Sequence, residues 1–251
     1  MSPGNPTSDR RLLTAIRVFG ILAMVFLAVG ALMAAFHAPL LPDCAVEPVE
    51  NCHTSPVGHK IFYFHVPVAW AAYLAFILLA VASYQVLATG RDGWDSLAVA
   101  SAEVGVLFSG LTLFTGSMWG HLEWGIYWNP QDLKLMLTLV MFLVYAAYLI
   151  LRRQLTDPRR RARIAAVYGI LGFAAVPLSY MAQRVWASIH PAVGPLDPAG
   201  GIITPGIQET FYVNVIAFFA LLLFLILTRY RIEVDRRAQA RRREQEEEES
   251  P

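Results

Sequence analysis

Six apolar runs, each close to twenty residues long, leave this chain few architectures. They cover residues 18–36, 66–87, 97–118, 135–151, 164–185 and 211–228. An α-helix needs about 20 predominantly apolar residues to cross the hydrocarbon core of a bilayer. The expected fold is therefore all-α, an integral membrane bundle of six transmembrane helices with membrane lipid around it. Composition agrees: 56% of the residues are hydrophobic and 16% are charged, where a soluble domain averages about 25% charged. The first run ends near small residues, in "MAAFHA", as a cleaved leader does. It is longer than the ~7–15-residue apolar region of a secretory signal, so it reads as a retained helix.

Orientation follows from the basic residues. With the N-terminus in the cytoplasm, seventeen of the twenty Lys and Arg fall on the inner side and only Lys60, Lys134 and Arg184 on the outer side. This positive-inside bias predicts that both termini are cytoplasmic; the expected location is the plasma (inner) membrane. The formal net charge of +1 conceals the asymmetry, and nothing points to a nucleic-acid partner.

Residues 1–228 read as one membrane domain and 229–251 as a charged cytoplasmic tail, with no internal repeat. The first ten residues are polar and read as mobile. The outer segment after the first run contains four prolines and reads as irregular loop. Pro67, in "FHVPVAW", suits a first helical turn, where its missing N–H costs nothing. Residues 115–134, "TGSMWGHLEWGIYWNPQDLK", read as an outer loop. A second outer loop follows the fifth run. Cys44 and Cys52 are the only cysteines, both on the outer side; an oxidising compartment permits a disulfide between them, and two unpaired loop cysteines are the alternative. The covalent haem-attachment pattern C-x-x-C-H is absent. Glu103, within the third run, is expected to hydrogen-bond a neighbouring helix, because an intramembrane carboxylate is costly without a partner.

All six histidines (His37, His53, His59, His65, His121 and His190) fall at the outer face, as do five of the six tryptophans, Trp94 being the exception. Interfacial tryptophan belts occupy both faces of a membrane, so a one-sided distribution marks a working face. A metal ion alone gains nothing from indoles. A flat macrocycle gains from both, since aromatic faces such as Trp119, Trp124, Trp128 and Tyr127 cover it and imidazoles bind its iron. His65 and His190 each sit at a helix end near an aromatic residue and flank the tryptophan-rich stretch. An exposed or capping role is the plain alternative for each. His53 and His59 lie in the proline-rich loop and are weaker candidates, and His121 competes from within the tryptophan stretch.

The stretch "TGSMWGHLEWGIYW", together with "FHVPVAW" and a histidine between the last two runs, resembles the haem-handling proteins of cytochrome c maturation, most closely the heme exporter protein C family. The resemblance covers nearly the whole chain. It implies six helices with cytoplasmic termini and non-covalent haem b held by two axial histidines, here His65 and His190. It also implies a platform of Trp119, Trp124 and Trp128. The implied partners are a membrane-anchored haem chaperone, which receives the haem, and the subunits of an ATP-binding cassette complex. The implied work is handling and transfer rather than bond chemistry.

The chain departs from that family after Trp128. The usual W-x-W-D-x-R-L continuation reads "WNPQDLKL", with Pro130 and Gln131 replacing tryptophan and aspartate; Asp132 follows one position later, and Lys134 supplies the positive charge an arginine gives elsewhere. Pro191 stands where glutamine usually follows the histidine. Two rival functions are a haem lyase subunit, whose larger relatives carry more helices and histidines, and a small-solute permease, which usually shows paired broken helices at the midplane.

Overall fold

The computed structural model describes residues 6–41, 45–46, 54–191 and 205–249. Cys44, Cys52 and His53 lie outside the described residues, and so does the disulfide expectation. The described elements are helical, in the order α1 (Pro6–Leu32), α2 (Phe62–Thr89), α3 (Asp92–Trp124), α4 (Leu133–Gln154), α5 (Pro158–Gly172), α6 (Ala175–Val185) and α7 (Pro205–Glu249). A π-helical turn, Met33–His37, closes α1, and a 3₁₀ turn, Gly58–Ile61, opens α2. Six segments are long and apolar enough to cross a membrane, with α5 and α6 forming one of them.

The six expected spans fall inside these segments, and four local expectations are corrected. The polar N-terminus is helical from Pro6 onward. Pro67 lies in the interior of α2, because the 3₁₀ turn runs straight into the helix and moves its start upstream. The fifth span is broken at Phe173 and Ala174. Most consequential, α3 continues through Trp124, so only 125–132 is a true connection. Nothing from Thr115 to Trp124 forbids helix. The helix stops at Gly125, whose φ of 71° is a left-handed cap that a residue with a Cβ adopts only under strain. Asp132 then opens α4, its side chain accepting the Leu135 N–H.

Helix α2 is the central element and packs against α3, α5 and α7, while α1 packs mainly on α7. Small buried residues on α2 (Ala71, Ala72, Ala75 and Ala82) allow close approach of neighbouring backbones. Fully buried Phe76 stacks on Tyr145 of α4 with ring centres 3.7 Å apart. Charges meet at the end of the bundle where α3 begins and α4 ends. Arg152 grips buried Asp95 through two hydrogen bonds of 2.7 and 2.9 Å. Arg237 adds a third contact to the same carboxylate. Half-buried Glu103 pairs with Arg229 of α7, so it does bond a neighbouring helix. Residues 229–249 continue α7 without a break.

Candidate functional site

At the other end of the bundle, α2, α3, α4 and α6 enclose a cleft of about 870 Å³ including its open mouth. His65, Trp119, Trp124, Tyr127, Trp128 and His190 all line it. The six residues singled out in the sequence are thus brought together from three separate segments.

His65 enters from the second turn of α2 and is buried. Its Nδ1 lies 2.9 Å from the Thr115 hydroxyl. That hydroxyl donates its own proton to the Leu111 carbonyl at 2.8 Å. Only a lone pair of Thr115 remains for the ring, so Nδ1–H of His65 donates to it and Nε2 keeps its lone pair. His190 reaches the same result by another route, its Nδ1–H donating to the Pro191 carbonyl at 2.9 Å. The two imidazole centres are 6.1 Å apart, with ring planes at 44°. Both rings contact the indole of buried Trp119, at 5.9 Å from His65 and 6.1 Å from His190. Trp124 packs on Trp119 at 5.7 Å.

Burial and the nearby Lys134 ammonium lower the His190 pKa to about 4, so the ring is neutral at pH 7. Lys134 is buried and, among the described residues, is the only Lys, Arg, Asp or Glu that lines the cleft. Its Nζ donates to the Tyr73 hydroxyl at 2.9 Å and to the Ser179 carbonyl at 2.8 Å. Two further lining atoms, Trp119 Nε1 and Gln183 Oε1, are buried without a hydrogen-bond partner. Buried polar groups are ordinarily paired, so the cleft is arranged for something that carries both an apolar body and polar groups.

The other histidines take different positions. His121 is on the exposed side of α3, stacked on Tyr127 at 4.0 Å. His59 stacks on Phe62 and meets Trp119 edge-on at 6.4 Å. His37 pairs with Glu209 at 2.8 Å, between the end of α1 and α7. Sequence reasoning did not pick out Thr115, Gly116, Gln183 or Ser188 for the site. Thr115 had a signal in hindsight, because it is four residues before Trp119 and shares its helical face. Gln183 and Ser188 had none, since their roles depend on how α6 docks.

A six-span helical bundle with an aromatic cleft and two histidines at one end defines a class: a multi-pass membrane protein with a candidate ligand site. The chain belongs to the heme exporter protein C family, whose sequence profile matches residues 4–245. It is 32% identical over 236 residues to "Heme exporter protein C" of Bradyrhizobium diazoefficiens, covering 93% of this chain and 84% of the relative. The protein of the same name from Paracoccus denitrificans is 30% identical over 182 residues, covering 72% of this chain and 75% of the relative. The Escherichia coli K12 protein of that name is 26% identical over 174 residues, 69% of each chain.

Proposed function

We propose that this protein binds haem b non-covalently between His65 and His190 and passes it to a haem chaperone during c-type cytochrome maturation. The observation that carries this reading is the spacing of the two rings. An imidazole nitrogen bonds a transition metal at about 2.0–2.1 Å with the ring centre about 1.2 Å behind it, so two imidazoles on opposite sides of one metal have centres roughly 6.3 Å apart. The observed 6.1 Å is close to that value. Both rings also offer Nε2, the nitrogen left unprotonated by the Thr115 and Pro191 contacts. Haem fits the remaining inventory, since its face suits Trp119, Trp124, Trp128 and Tyr127. Its carboxylates suit Lys134, which supports the charge expected of the residues after Trp128.

The iron would supply two axial positions, and the protein's part is to hold two neutral imidazoles ready for them. The aromatic walls exclude water and bind by contact area, so on release only the two iron–imidazole coordinate bonds would have to break. The family relationship supports work alongside ATP-binding cassette subunits in the plasma membrane. The distribution of basic residues supports cytoplasmic termini and a cleft facing outward. Purified protein loaded with haem is expected to show a low-spin, six-coordinate visible spectrum. A His65→Ala/His190→Ala double variant with that spectrum and the same haem yield would refute the assignment.

A further inference from the structure

We infer that Asp132 is the positioning residue that holds His190 opposite His65, an inference that rests on the haem reading above. Asp132 is 4% exposed and sits at the junction of the tryptophan-bearing connection and α4. Its two carboxylate oxygens do different work. Oδ1 accepts the Leu135 N–H at 3.2 Å and so caps α4. Oδ2 accepts the Ser188 hydroxyl at 2.8 Å and the Ile189 N–H at 2.9 Å. The Ser188 Oγ in turn accepts the His190 N–H at 3.0 Å. One carboxylate therefore fastens the backbone just before His190 to the first turn of a membrane-spanning helix.

The segment it fastens is not helical. After Val185 the helix ends, and residues 186–191 follow as irregular chain. An imidazole on such a segment reaches a fixed point only if the backbone is tied down. Groups that orient a metal ligand through one intermediate contact commonly carry 10–100-fold of the affinity. The carboxylate is suited to this place. It accepts three hydrogen bonds, and its charge lies at a helix N-terminus, where an anion is favoured. The side chains of His65 and His190 stay available for iron because Asp132 hydrogen-bonds the backbone and Ser188 rather than either ring.

Asp132→Asn separates the two roles. Asparagine caps a helix as well as aspartate does and has nearly the same shape. Its amide nitrogen donates, so it cannot accept from Ser188 and Ile189 while its oxygen caps α4. In haem-free, full-length protein, hydrogen exchange at Ile189 is expected to accelerate about tenfold in Asp132→Asn as its acceptor is lost, with α4 amides unchanged. In haem-loaded protein the variant is expected to bind 10–100-fold more weakly and to show a mixed-spin spectrum. Free imidazole should restore the low-spin signature by filling the position His190 leaves. A double variant, Asp132→Asn with Ser188→Ala, should lose less than the sum of the two single losses, since the two residues share the Asp132–Ser188 contact. Wild-type exchange at Ile189 with a wild-type spectrum overturns the inference and leaves the haem reading standing. Accelerated exchange in a protein whose parent never shows bis-histidine haem supports the clamp and removes the haem reading instead.

Discussion

Gly116 gives the sharpest test of the cleft. A Cβ added at this position would lie 2.8 Å from Cε1 of His65, 3.5 Å from Nδ1 and 3.6 Å from Nε2. Carbon atoms in contact prefer about 3.5–4.0 Å, so in Gly116→Ala the imidazole must retreat by at least about 0.7 Å or α3 must move away from α2. Metal–ligand distances tolerate about ±0.2 Å, and overpacking of this kind costs about 1–3 kcal/mol. The shift would also stretch the 2.9 Å contact to Thr115 that fixes the tautomer. Haem affinity is therefore expected to fall at least about tenfold, which corresponds to ~1.4 kcal/mol. The assay is a haem titration of the detergent-purified variant, followed in the visible region. Gly110→Ala on the same helix is the control, because its added Cβ meets only Phe142 Cε2 at an ordinary 3.5 Å. Equal affinity and an unchanged bis-histidine spectrum in Gly116→Ala would refute the placement of His65 as a ligand.

Two further outcomes follow from the bundle and the site. Arg152→Ala should destabilise the protein by about 3–5 kcal/mol in reversible unfolding, because it strips the partner that makes two hydrogen bonds to a carboxylate buried among helices; a loss below about 1 kcal/mol would show that Arg237 alone satisfies Asp95. The His190 ring should titrate near pH 4 by histidine-selective NMR of the haem-free protein, against the ordinary 6.5. Its folded value is the lower one, so the unfolded chain takes up the proton first. Stability contributed by this residue is whole above about pH 6.5 and declines as the pH falls toward 4. Titration near 6.5 would mean that the ring is not held in the cleft.

Much of the fold was legible because membrane helices announce themselves. Run length located all six spans, since a bilayer demands apolar residues regardless of which helix packs on which. The end of α3 was misread for a physical reason. Trp, His, Glu and Gly in "WGHLEW" have the composition of a loop, yet helix continues wherever nothing breaks it and a neighbouring surface rewards it. Only Gly125 breaks it, and Trp119 is buried against His65 and His190. The interruption at Phe173 and Ala174 leaves no mark at all in the hydropathy of the fifth run.

The sequence by itself determined the class of molecule and the family, and it singled out six residues that the fold gathers at one cleft. These depend on residue chemistry and on the one-sided distribution of His and Trp, which survive without coordinates. Tertiary structure alone decided which nitrogen each imidazole offers, that the two rings are 6.1 Å apart, and that Asp132 ties the His190 segment to α4. The Thr115 and Asp132 contacts join residues 50 to 57 positions apart in the chain, and the two histidines are further apart still. A linear pattern carries no record of them, because packing of α2, α3, α4 and α6 brings the partners together.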